Sequence, residues 1–383
     1  MTPGPAIAPG ATLGVLGGGQ LGRMFVHAAQ RLGYRCLVLD PDPDSPAGRV
    51  AERHLCADYL DARALDSLAR EAAAVTTEFE NVPAQALRQL ADRVPVAPRA
   101  QAVATCQDRA LEKALFVRCG VPCAAHAAID GEPALGAVPD ALLPGILKTA
   151  QLGYDGKGQR SVEQRAQLTA AWRELGSARC MLERRLDLAL EISVVLARGA
   201  DGMVSFAPFR NLHRDGILAV TQWPAPRVDD TLAGAADAAA RSIASALDYA
   251  GVLCVEFFVD RQGTLYANEI APRPHNSGHC TIDACDVSQF EWQVRVLAGL
   301  PLPAPRMHSH AVMLNLLGDL WRDGAAPDWR GVLALPGAHL HLYGKAQARR
   351  GRKMGHLTLT AASAPDADAL AREAALRLGL PAW

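Results

Sequence analysis

Lysine is the scarce residue in this chain. Of 39 basic residues only five are lysine (Lys113, Lys148, Lys157, Lys345 and Lys353), and the other 34 are arginine. Arginine therefore serves as the general solvated cation, and each lysine becomes a candidate site residue. A compact ammonium on a flexible stem suits phosphate oxygens where a planar fork does not fit. Long apolar runs are missing too; none approaches the about 20 residues needed to cross a bilayer. The nine cysteines include no Cys-x-x-Cys pair, so reduced thiols and a cytoplasmic location are expected. Charge of either sign is not in excess: 39 basic and 40 acidic residues leave a formal −1. That argues against a nucleic-acid surface or a polybasic membrane patch. The first eleven residues are rich in Pro, Gly and Ala, with no basic start and no long apolar stretch, and read as a frayed tail instead of a signal peptide.

What is present is a chain of 383 residues, half of them hydrophobic, enough for two or three domains with sizeable cores. The opening pattern is a strand over Thr12–Leu16, a glycine turn, a helix stopped by Gly33, and a second strand ending in Asp40. A helix over Ala62–Glu71, a strand over Ala74–Thr77 and a helix from Asp108 to Arg118 follow. This order predicts a doubly wound parallel sheet. Beyond it the pattern turns to strands, with long helices at Leu232–Tyr249, Gln289–Ala298 and Asp366–Leu378.

Gly17, Gly19 and Gly22 satisfy the G-x-G-x-x-G spacing between a strand and a helix, and Asp40 sits where a ribose-binding acid would. Alone, this reads as a nicotinamide dehydrogenase. The physics encoded is only a set of backbone N–H groups and a helix N-terminus facing an anion, so the rest of the chain must decide.

Four segments do so. Lys148 ends the apolar strand Gly145–Lys148. Gly153, Tyr154, Asp155, Gly156, Lys157, Gly158 and Gln159 form a polar loop whose amides can wrap phosphate oxygens; it lacks the Walker A order. Glu183 ends one strand and Glu191 begins another, positions from which carboxylates can accept ribose hydroxyls. Glu256 and Glu269 flank a turn at Gln262-Gly263, so a hairpin sets them opposite each other. With Asn268 beside them, such oxygens suit Mg²⁺ carrying nucleotide phosphates; two buried acids neutralised by arginines is the alternative. Directly after comes Pro272-Arg273-Pro274-His275-Asn276-Ser277-Gly278-His279, stiffened by two prolines.

Lys148, the 153–159 loop, Glu183, Glu191, Glu256 and Asn268-Glu269 together resemble the ATP-grasp carboxylate–amine ligases. The strings Gly19-Gln20-Leu21-Gly22-Arg23, Asn211-Leu212-His213, His275-Asn276-Ser277-Gly278-His279 and Gly351-Arg352-Lys353-Met354-Gly355-His356 are similar to the carboxylating branch of that family in purine biosynthesis. The resemblance covers nearly the whole chain after Leu13.

It implies an ATP-grasp fold (class α/β), with an N-terminal doubly wound parallel-sheet domain over residues 12–108. An ATP-grasp domain over 109–305 would follow, its lid at 109–186, then a small C-terminal β-rich domain over 306–383. It implies that ATP and bicarbonate carboxylate 5-aminoimidazole ribonucleotide through carboxyphosphate. By the same resemblance, Arg99, Lys148, the 153–159 loop, Glu183, Arg184, Arg185, Leu186, Glu191, His213, Asn268 and Glu269 would bind ATP. Glu256 and Glu269 would hold Mg²⁺. Gln20, Leu21, Glu78 (or Glu80), Tyr154, Asn276, Lys345, Arg352 and Lys353 would bind the ribonucleotide. Asp155, Arg273, His275 and Lys345 would serve the chemistry, Asp155 orienting the amine and His275 assisting proton removal. Lys113 falls in none of these segments and is read as a helix-surface residue. A homodimer and a functional link to a downstream mutase are also implied. The sequence departs from the family at Ala150-Gln151-Leu152, where basic residues and a glycine usually stand, and at Cys280, where an aromatic is usual. A formate-using ribonucleotide transformylase of the same family is the nearest rival, and a non-catalytic nucleotide-binding regulator a further one.

Overall fold

The glycine turn opens a sheet that is buried on both faces. The computed structural model describes residues 6–383 apart from 152, 154–157 and 322–324. Strand β1 (Thr12–Leu16) leads through the turn to helix α1 (Gln20–Arg31). There follow β2 (Arg35–Leu39), β3 (Arg53–Leu55), α2 (Ala62–Glu71) and β4 (Ala74–Thr77). The strands run parallel in the order β3-β2-β1-β4. Leu13, Val15, Leu16, Leu37, Val38 and Leu39 are all within 1% of full burial, as a parallel sheet covered on both sides requires. Three helices leave this sheet: α3 (Ala84–Ala91), α4 (Ala100–Cys106) and α5 (Arg109–Arg118). Pro95 and Pro98 read in the sequence as a break; the chain there turns between two short helices, because proline is tolerated just before a helix. Asp108 caps α5 by accepting the Ala110 N–H at 2.9 Å, the usual use of an aspartate there.

A second, antiparallel sheet carries β5 (His126–Ile129), β6 (Gly145–Thr149), β7 (Gln159–Val162) and β8 (Cys180–Arg184) in the order β5-β8-β6-β7, with α6 (Glu132–Ala137) and α7 (Arg165–Glu174) on one face. Leu147, Leu182, Leu168 and Trp172 form its core. Here the polar loop joins β6 to β7, and Gln159 pairs with Lys148.

The third sheet has nine strands. It contains β9 (Leu188–Gly199), β10 (Gly202–Ser205), β11 (Phe209–Arg214), β12 (Ile217–Trp223), β13 (Gly251–Asp260), β14 (Leu265–Ala271), β15 (His310–Leu317), β16 (Ala338–Leu342) and β17 (Lys353–Ala361). The order is β14-β13-β9-β11-β12-β15-β17-β16, with β10 paired to β9. The C-terminal strands thus extend the same sheet, since β15 pairs with β12. Helix α8 (Asp230–Ala246) covers β9 and β13, and α12 (Ala364–Leu378) covers β15 and β17; short helices α9 (Thr281–Ala284) and α11 (Trp329–Leu333) fill corners. Helix α10 (Gln289–Ala298) packs on α1 and β4. Its buried Gln293 amide donates to the Thr76 hydroxyl at 3.0 Å and to the Thr77 carbonyl at 3.2 Å. That contact locks the parallel sheet against the nine-stranded one and fixes the cleft between them.

Candidate active site

The chain's own acids occupy the glycine turn. Gly18 N–H donates to Asp40 Oδ2 at 2.7 Å, Gly19 N–H to Glu78 Oε1 at 2.9 Å and Gly22 N–H to Glu78 Oε2 at 3.0 Å. A Cβ on Gly17, whose φ is +101°, would stand 2.8 Å from the same carboxylate. Asp40 is further held by the Tyr59 hydroxyl at 2.7 Å. The donors that would cradle a pyrophosphate, and the acid that would take a ribose, are already satisfied. This removes the basis of the nicotinamide reading: the spacing was right but the anion is internal. Burial raises the Glu78 pKa against the pull of the two N–H donors and Arg273. Glu80, the alternative to Glu78, is instead ion-paired with Arg273. Gln20 opens α1 beside them, whereas the Leu21 side chain packs with Met24, Phe290 and Tyr343.

Across the cleft, a chain of charges is buried between α5 and strands β6 and β8. Lys148 Nζ lies 3.0 Å and Lys113 Nζ 3.4 Å from Glu183 Oε2. Burial alone would raise the Glu183 carboxyl, but Lys148, Lys113 and Arg109 outweigh it and bring it down to about 2. Lys148 is pulled down by burial, with Glu183 opposing. Arg109 approaches Glu269 at 3.4 Å, and burial together with Glu269 raises the pKa of Glu112, whose carboxyl accepts the Ile270 N–H at 2.6 Å. Lys113 is therefore not a helix-surface residue. It is fully buried and also donates to the Asn268 carbonyl at 3.1 Å.

Arg99 requires a second correction. It is exposed at the start of α4 and ion-paired with Asp248, while Arg109 lines the cleft with Glu80, Gly153, Glu269 and Arg273. Arg109, Glu112 and Lys113 were missed although their signal was present: positions three and four apart share one helix face, and lysine is rare.

Glu256 and Glu269 are directly opposite in the β13–β14 register, with a bulge just after Glu256. Each carboxylate also has its own partner. Glu256 Oε1 is 2.8 Å from His275 Nε2. Burial would raise Glu256, but His275, His213 and Lys353 hold it well below the usual carboxylate range. His275 Nδ1 lies 2.8 Å from Ser277 Oγ, which meets Ser193 Oγ at 2.8 Å, which in turn accepts from Asn211 at 2.9 Å. Both ring nitrogens of His275 are thus engaged within the chain. His213 Nδ1 stands 2.7 Å from Glu191 Oε2. Several buried polar atoms facing this region have no hydrogen-bond partner: Glu183 Oε1, Asn268 Oδ1 and both amide atoms of Asn276. Buried polar atoms are rarely left unpaired in a finished structure, so these fit a ligand and a hard cation.

The remaining candidates sit at the rim. Lys345 Nζ donates to the Lys353 carbonyl at 2.7 Å, and Arg352 to the Gln347 carbonyl at 3.0 Å. Arg185 is ion-paired with Glu163 on the surface, Arg184 is exposed and Leu186 half-buried. Gly158 closes the loop by accepting the Thr149 N–H at 2.8 Å. Tyr154, Asp155, Gly156 and Lys157 lie outside the described residues. Of the family departures, Gln151 donates to Asp108 at 3.1 Å, and Cys280 is buried in the core.

An internally neutralised cation cluster, paired oxygen donors on a hairpin and a two-sheet cleft define an ATP-grasp ligase. Three family models match in series: a ribonucleotide synthetase preATP-grasp domain over residues 10–107, an ATP-grasp domain over 114–290, and a phosphoribosylaminoimidazole carboxylase C-terminal domain over 311–370. The N5-carboxyaminoimidazole ribonucleotide synthase of Brucella melitensis is 45% identical over 92% of this chain and 97% of its own, and that of Bacillus subtilis 38% over 92% of each. Among solved structures, an N5-carboxyaminoimidazole ribonucleotide synthetase in its ADP complex superposes with a TM-score of 0.90 at 37% identity, covering 98% of both chains. The Aspergillus clavatus enzyme with ADP and 5-aminoimidazole ribonucleotide gives 0.89 at 32%, covering 96% of this chain and 98% of that one. The chain belongs to the N5-carboxyaminoimidazole ribonucleotide synthase family.

Proposed function

We propose that this chain carboxylates the exocyclic amine of 5-aminoimidazole ribonucleotide, using ATP and bicarbonate and releasing ADP and phosphate. The observation that carries the reading is the buried Lys148–Glu183–Lys113 cluster set beside Arg109 and Glu269 in one cleft. A bicarbonate oxygen attacks the γ-phosphorus, the bond to ADP breaks, and carboxyphosphate forms. The amine nitrogen then attacks its carbon or the CO₂ released from it, phosphate leaves and the amine loses a proton.

Lys148 and Arg109 are assigned to the phosphate chain. Glu183 keeps Lys148 in place, and Glu191 takes the ribose hydroxyls with His213 fixing its orientation. Glu256, Glu269 and Asn268 would hold Mg²⁺ through hard oxygens, and the ion would neutralise charge on the nucleotide phosphates. Arg273, held by Glu80, faces the equatorial oxygens of the transferring group. His275 acts as a positioning residue for Glu256, because neither of its nitrogens is open to take a proton. Asn276, Gln20, Lys345, Arg352 and Lys353 are assigned to the ribonucleotide, and Asp155 to orienting its amine. The 153–159 loop closes over the reaction and keeps water from carboxyphosphate.

We further place the enzyme in the cytoplasm, consistent with nine unpaired cysteines, as a homodimer whose product passes to a downstream mutase. No described helix is long and apolar enough to cross a membrane. The test is ADP release with bicarbonate, with and without the aminoimidazole ribonucleotide. Stimulation by the ribonucleotide and formation of the N5-carbamate support the reading; stimulation by glycinamide ribonucleotide with formate instead would overturn it. Light scattering tests the dimer.

A further inference from the structure

A cluster of imidazoles lies apart from the Glu256–Glu269 pair. His341 on β16 stands directly opposite His356 on β17. Residues opposite each other in an antiparallel pair project from one face, and the two rings stack with 4.4 Å between centroids and 12° between planes. Asp283, on α9, packs against β17 from the segment that follows His279. Its two carboxylate oxygens lie 2.9 and 3.2 Å from His341 Nε2. Asp283, His341 and His356 each bring a donor atom within 4.8 Å of the others.

A second observation points to a ligand. His356 is fully buried, and its Nε2 has no hydrogen-bond partner. Its Nδ1 sits 2.8 Å from the Tyr343 hydroxyl. In the tautomer with Nδ1–H donating to the Tyr343 oxygen, Nε2 keeps a lone pair. A neutral imidazole with a free ring lone pair is the form that binds metals. A buried ring nitrogen without a partner is costly unless something else occupies it.

We propose that Asp283, His341 and His356 form a site for a divalent transition-metal ion of the zinc class, separate from the oxygen-donor pair that suits Mg²⁺. Two imidazoles and one carboxylate favour zinc over magnesium and leave a fourth position to solvent. The ion can enter from outside, since the His341 and Asp283 side chains are 28% and 10% exposed. His339, two residues along β16 and so on the same face, lies 3.8 Å from Asp283 at the rim. Tyr343 is a positioning residue that fixes the tautomer of His356. The site would pin the β16–β17 hairpin, which has Lys345 in its connection and Lys353 at the start of β17, to α9.

The full-length protein, stripped with a chelator, is titrated with Zn²⁺ and with Co²⁺ in excess Mg²⁺. The expected result is one equivalent of Zn²⁺ retained through gel filtration, a visible Co²⁺ absorption band and a Zn²⁺-dependent rise in Tm. Asp283→Asn and His341→Gln should abolish retention. Tyr343→Phe should weaken affinity about 10–100-fold without removing a ligand. Glu256→Gln should leave the stoichiometry at one. If Asp283→Asn does not fold, His341→Gln carries the test. No retained zinc in the unmodified protein, equal uptake by His341→Gln, or loss only in Glu256→Gln would overturn the proposal.

Discussion

Glu183→Gln is the sharpest perturbation available. In the folded protein one carboxylate oxygen neutralises two ammonium groups, Lys148 at 3.0 Å and Lys113 at 3.4 Å, with all three side chains at most 9% exposed. The folded pKa of Glu183 is about 2, against about 4.3 in an unfolded chain. A depressed carboxylate contributes stability that is fully present above the unfolded value and is lost as pH falls toward the folded one. The gap corresponds to about 3 kcal/mol, withdrawn between about pH 4.3 and 2. Neutralising Glu183 by mutation strands two buried cations, and breaking a buried pair this way costs about 3–5 kcal/mol. At about 2–4 °C per kcal/mol, Tm should fall by about 6–20 °C. Scanning calorimetry at neutral pH reads that loss, and an acid titration followed by circular dichroism should show a shallower fall below pH 4.3 in the variant. Adding Lys113→Met should restore part of the loss, because one stranded charge is then removed. A Tm within about 2 °C of the unmodified protein, below the smallest loss allowed, or strict additivity in the double variant, would refute the argument.

Arg109→Ala should lower kcat/KM for ATP by about 10²–10³, while Arg99→Ala leaves it unchanged; steady-state ADP release separates the two. Glu256→Gln and Glu269→Gln should each cut ADP formation to a similar degree, with a Mg²⁺ titration showing the demand for metal raised. NADH should give no fluorescence enhancement with this protein, because Glu78 and Asp40 fill the glycine turn; NADH binding that the ribonucleotide displaces and ATP does not would contradict that occupancy. His275→Asn should lower kcat without the pH–rate profile losing a limb; a lost acidic limb would instead make His275 the proton acceptor.

Strong local patterns were legible. Thr12–Leu16, Ala62–Glu71, Ala74–Thr77 and Gln289–Ala298 have the boundaries that periodicity predicts, because each carries its own apolar stripe and its own stop. The β13–β14 hairpin was readable from Gln262-Gly263 between two apolar runs, and so was the opposition of Glu256 and Glu269. Helices α3 and α4 were not, since both are short, lie among prolines and gain their stability from packing. Strand β12 (Ile217–Trp223) was missed as well; it is a central strand whose identity shows only when β11 and β15 flank it. The C-terminal strands looked like a separate unit, and only the β12–β15 pairing joins them to the large sheet.

Residue types, their rarity and their local order were thus settled by the sequence alone: a glycine turn before a helix, a lysine closing a strand, two acids across a hairpin. Which charge meets which was decided by the fold. Glu78 reaches Gly19 across 59 positions, Glu183 reaches Lys148 across 35, and Arg109 reaches Glu269 across 160. Such partners are set by sheet order and helix docking, and no local pattern encodes the counter-ion. That is why Lys113 passed for a surface residue until the fold set α5 against β8 and β14.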